Sequence, residues 1–131
     1  MKVVVGIDSL KGSLSSLEAG ETVASGIRRV YPDAKIEVFP LADGGEGTVE
    51  ALTLGMGGRF EEITVTGPLG EPVLSRYGVL PDGRTGVLEM ASAAGITLVE
   101  QERRNPMLTT TYGVGEMIRD AIEKGCRHFI V

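Results

Sequence analysis

Lys11 and Gly12 lie in "DSLKGS" (residues 8–13), Asp43 and Glu46 lie in "LADGGEG" (41–47), and each stretch runs into a helical apolar pattern. These residue types suit one kind of chemistry. An anion is held by a lysine and backbone amides, while nearby carboxylates hold a cation or take a proton. A lysine at the positive end of a helix dipole is misplaced by about 0.3–1 kcal/mol unless an anion lies between them. Gly12, between Lys11 and Ser13 and three residues after Ser9, lets the backbone approach a phosphate closely. The spacing is neither that of a P-loop nor that of the Rossmann glycine fingerprint. Asp8 is either the start of an Asx-turn or a carboxylate presented at the end of a strand. Asp43 and Glu46 have the spacing of a capping box. A cap explains one glycine at most, so Gly44, Gly45 and Gly47 together point to backbone offered to a ligand.

Further along, Glu89 closes a strand-like run, either as a charged strand end or facing the same crevice. Thr109, Thr110 and Thr111 precede a helix; capping explains one of them, and the others can donate to a carboxylate or phosphate. Arg103 and Arg104 are a solvated loop pair or a bidentate clamp for an acid. His128 and Cys126 read as structural.

The elements that must position these groups follow from periodicity. "KVVVGI" (2–7) is a buried strand. Ser15 and Glu18 form a capping box for a helix that ends at "YPD" (31–33). "KIEVF" (35–39) is a second strand, and a short helix spans about 48–56. Strand–helix–strand–helix is the order of parallel α/β units, whose ligands sit beyond the carboxyl ends of the strands. Three strand-like runs follow, 59–67, 71–80 and 84–90, joined by turns too tight for anything but antiparallel pairing. Residues 91–111 read as a loop, 112–124 as a helix and 127–131 as a last strand. The expectation is an α/β fold: a Rossmann-like parallel βαβα start, an antiparallel β-meander, and a further helix–strand unit. The division expected is residues 1–66 for the Rossmann-like portion and 67–131 for the start of a second domain. Ending on a short apolar strand, the sequence reads as cut after residue 131.

Composition narrows the class. The chain has 131 residues, with 13 basic against 18 acidic side chains and a net charge of −5. There is no Trp, and the three Phe and three Tyr are not interleaved with basic residues, which argues against nucleic acid. No apolar run approaches the roughly 18 residues of a membrane span. One cysteine rules out an internal disulfide and, with one histidine, leaves no usual zinc set. The cytoplasm is the expected location.

"DSLKGSLSS", "LADGGEGTVEAL", "VTGPLG", "SRYG", "LEMASAAGI" and "RNPMLTTTYGVGEMI", in that order, make the chain resemble bacterial-type glycerate kinases of the first class. The resemblance runs from Asp8 to Ile118. It departs at "GIDSL", where the family more often has Pro before the Asp and Phe after the Ser. It implies transfer of the γ-phosphoryl of ATP, with Mg²⁺, to D-glycerate, the 2-hydroxyl being favoured. Lys11, Asp43 and Asp8 would be catalytic. Ser9, Gly12, Ser13, Gly44, Gly45, Glu46 and Thr109–Thr111 would bind substrate or phosphate, with Asp43 and Glu46 as metal ligands. Family members are longer, with two α/β domains around the site. This chain would be their N-terminal part, inactive alone and prone to self-association. The rivals are a non-catalytic anion- or metabolite-binding module and an interaction domain without a small ligand.

Overall fold

β1 (Lys2–Ile7) and β2 (Lys35–Pro40) pair in parallel, with Lys2 opposite Lys35 and Ile7 opposite Pro40. A parallel pair cannot be joined by a tight turn, and α1 (Ser16–Val30) makes the connection. The computed structural model describes residues 1–10 and 13–131. α1 starts with the expected capping box: Ser15 Oγ accepts the Glu18 amide at 3.2 Å, and Glu18 Oε2 accepts the Ser15 amide at 2.9 Å. Its buried small residues Ala19, Gly20 and Ala24 let it lie close on the strands.

The second sheet has the order β3–β4–β5–β6. β3 (Arg59–Thr66), β4 (Pro72–Val79) and β5 (Thr85–Val87) are antiparallel, and β6 (His128–Ile130) lies parallel to β5. The α/β class, the parallel start and the meander are therefore all present. The β3–β4 hairpin spans residues 66 and 67, so one sheet extends to both sides of the expected division.

Alternation along β4 sets what each face holds. Ser75 and Tyr77 point to α4 (Tyr112–Glu123), where Ser75 Oγ meets Met117 Sδ and the Tyr77 hydroxyl donates to Asp120 Oδ2 at 2.6 Å. On this side the core is built from Val65, Tyr77, Val79, Leu88, Met117, Ala121 and Cys126. Arg76 and Gly78 point to α2 (Thr48–Gly55), which adds Val49 to a smaller cluster with Leu80 and Val87. A side chain at Gly78 would collide with Thr53, so the glycine is what lets α2 lie flat on the sheet. Burial, first, and the Asp120 hydrogen bond raise the Tyr77 hydroxyl's pKa, keeping it a donor at all ordinary pH.

Two expectations from sequence are corrected. The strand expected over 84–90 stops at Val87, because its partner β6 is only three residues long. The stretch expected as loop over 91–111 carries α3 (Met90–Ala94) and two 3₁₀ turns, Ile96–Leu98 and Gln101–Arg103. "MASAA" is rich in alanine, the best helix former, so local propensity wins once the ladder ends. The elements at 112–124 and 127–131 appear as α4 and β6, each slightly shorter.

Candidate functional site

A cavity of about 360 Å³ opens where the loop after β1 meets the start of α2. Asp8, Ser9 and Ser13 line it from the first loop, and Ser15 and Ser16 from the start of α1. Glu46, Gly47 and Glu50 line it from the second loop and α2, with Arg76 of β4 and Glu89 opposite. Residues of both loops suspected from sequence therefore border one cavity. Two helix N-termini, with their partial positive charge and spare amide donors, reach it.

Local conformation explains each placement. Asp8 Oδ1 accepts the Ser9 amide at 2.6 Å, tying the carboxylate to the end of β1. Gly44 and Gly47 have φ of 98° and 90°, left-handed values that other residues adopt at a cost, so "GGEG" is a backbone requirement. Asp43 Oδ1 accepts the Gly45 amide at 3.1 Å in a short turn.

The capping box expected from Asp43 and Glu46 does not form. Gly47 is the N-cap of α2 and offers no side chain. The acceptor comes instead from 40 residues away: Glu89 Oε2 takes the Val49 amide at 3.0 Å. Glu89 is thus a distant cap that also lines the cavity. Of its two sequence readings, the crevice is the one observed.

The remaining candidates separate. Lys11 and Gly12 lie outside the described residues. Asp43, Gly44 and Gly45 shape the second loop without lining the cavity. None of Thr109, Thr110 and Thr111 lines it either: Thr110 bonds to Pro68 O and to the Tyr112 amide, and Thr109 to Pro106 O. Thr111 precedes α4 without a side-chain cap. Arg104 Nε is committed to Val99 O, and Arg103 approaches Glu71. Cys126 is buried, which raises its thiol pKa. Sequence reasoning missed Glu50 and Arg76. Glu50 sits inside a helical pattern and Arg76 inside a strand-like run, where a single charge carries no signal of its own.

Among the described residues, no three His, Cys, Asp or Glu side chains are grouped to hold a metal ion. Asp8 and Glu46 still match what Mg²⁺ asks of a protein when phosphate oxygens fill most of its shell, namely one or two carboxylates. Among the described residues no helix is long and apolar enough to cross a membrane.

The profile of the glycerate kinase family matches residues 3–131. The chain belongs to the glycerate kinase family. It is 49% identical over 131 residues to the glycerate kinase of Bacillus subtilis (strain 168), covering all of this chain and 34% of that one. To the glycerate 2-kinase of Escherichia coli (strain K12) it is 45% identical, with the same coverage. A crystal structure assigned to glycerate kinase 2 of Salmonella typhimurium LT2 superposes with a TM-score of 0.80 at 46% identity. That match covers 98% of this chain and 34% of the other. The chain thus spans about a third of the length of the glycerate kinases it matches.

Proposed function

We propose that the full-length protein is a glycerate kinase that transfers the γ-phosphoryl of ATP to the 2-hydroxyl of D-glycerate. The observation that supports this most is the cavity itself. Within a chain matched by the glycerate kinase profile over residues 3–131, both suspected loops meet there at two helix N-termini. Phosphoryl transfer asks a protein for positioning and charge stabilisation more than for covalent chemistry, and such a site offers both.

In this reading Lys11, the amides of Gly12 and Ser13, and the Ser9 hydroxyl hold phosphoryl oxygens. Asp8 and Glu46 face the reacting groups. One accepts the proton of the attacking hydroxyl, and both are suited to hold Mg²⁺, which neutralises phosphate charge when bound. Gly44 and Gly45, with Asp43 closing their turn, set the position of Glu46. The 131 residues form one wall of the site and are inactive alone. The test is ADP release from ATP that depends on D-glycerate, with ³¹P NMR to locate the new phosphate. Phosphate on C2 supports the reading. Phosphate on C3 overturns the regiochemistry, and binding of ATP or glycerate without turnover favours a non-catalytic module.

A further inference from the structure

We propose that Arg76 grips the carboxylate of the acceptor acid and so makes the cavity selective for an acid over a neutral polyol. The inference rests on the functional reading above and adds a residue to it. Asp8, Glu46, Glu50 and Glu89 all line the cavity, and Arg76 is the one cation among its described lining residues. Four carboxylates repel an anionic substrate, so a small acid needs a counter-charge on the wall it approaches.

Arg76 is built to supply it. Phe60 pairs across from Gly78, which puts its ring diagonal to Arg76, and the guanidinium lies 4.9 Å from the ring centroid. Ser92 of α3 pins the backbone from both sides: its Oγ accepts the Arg76 amide at 3.2 Å and donates to the Arg76 carbonyl at 3.3 Å. The Arg76 guanidinium nonetheless makes no hydrogen bond among the described residues. Its ion pair with Glu50 is loose at 3.7 Å, and no other group among the described residues bonds to the guanidinium. A guanidinium carries five N–H donors in a planar fork that matches a carboxylate edge to edge.

The same fork could take a phosphoryl group of the nucleotide, and kinetics separates the two. In the full-length protein, ADP release is measured against D-glycerate at saturating ATP, and against ATP at saturating D-glycerate, for wild type, Arg76→Lys and Arg76→Gln. The expected result is a KM for D-glycerate raised at least about tenfold in both variants, with the KM for ATP changed less than about twofold. Arg76→Lys keeps the charge and the stem over Phe60, so it remains informative if Arg76→Gln fails to fold. An unchanged glycerate KM in a folded variant overturns the proposal. So does a rise confined to the KM for ATP, which assigns Arg76 to the nucleotide. A wild-type protein with no glycerate-dependent turnover overturns the functional reading, and this proposal with it.

Discussion

Asp8 and Glu46 come from loops 38 positions apart and end on one cavity, which makes them the residues whose roles are easiest to separate from folding. In the full-length protein, Asp8→Asn, Glu46→Gln and Lys11→Ala are each expected to lower kcat at least about tenfold, or roughly 1.4 kcal/mol of transition-state stabilisation. Thermal melts run alongside, and wild-type rates in all three would assign them to structure. A second prediction concerns acid. Asp82, in the β4–β5 turn, accepts bonds from the Thr85 hydroxyl and from the Arg84 and Thr85 amides, which hold its carboxyl at about 2 against an ordinary 3.8. A depressed carboxyl stabilises the fold above its unfolded pKa, and that contribution is lost as pH falls through the folded one. Unfolding followed by circular dichroism from pH 5 to 2 is expected to show less stability loss between about pH 4 and 2 in Asp82→Asn than in wild type. Identical acid limbs would contradict this. Asp8 and Glu46 stood out in sequence as carboxylates in loops ahead of helices, each with an Asx-turn or capping alternative, and the fold brings both to one cavity. Arg76 did not stand out, because nothing in "SRYG" says what lies across the sheet.

At the scale of elements, α2 is held by a group that local sequence could not reveal. Its N-terminal amide at Val49 is satisfied by Glu89, at the junction of β5 and α3, instead of by Asp43 five residues ahead of the helix. Capping-box spacing is a local rule. It failed here because "GGEG" turns through left-handed backbone and carries Asp43 into its own short turn. At α1 the same rule held, since Ser15 and Glu18 lie on one regular turn. Glu89→Ala is expected to destabilise the protein by about 1–2 kcal/mol in urea melts. Glu89→Gln keeps an oxygen acceptor and should cost less. Equal stability of Glu89→Ala and wild type would show that the bond carries no weight. Periodicity read the strands and the longer helices well because exposure alternates along most of the strands and the longer helices each bury one stripe. It missed α3, which is five residues long and gives a 3.6-residue repeat little room to show.

Over the whole molecule, β1 and β2 form a two-stranded parallel sheet with α1 on one face, whereas parallel sheets are normally covered on both. Val4 and Phe39 of these strands are exposed, as are Leu41, Met107, Leu108 and Tyr112 elsewhere. The 131-residue chain alone is therefore expected to self-associate with rising concentration in sedimentation velocity, and a strictly monomeric profile would contradict this. Its relatives are about three times as long, and in a kinase that holds both substrates in reacting geometry the remaining length has clear work to do. The family was legible from six motifs in order, whereas the meeting of Glu50, Arg76 and Glu89 on one cavity followed only from the packing of α2 against β4. On the function proposed above, these loops form the site of an enzyme that phosphorylates glycerate. Steady-state ADP release by the purified full-length protein, with and without D-glycerate, tests it most directly. The predicted result is turnover that requires D-glycerate and falls at least about tenfold in Asp8→Asn. ATP consumption indifferent to D-glycerate, or no consumption by a folded wild-type protein, would contradict it.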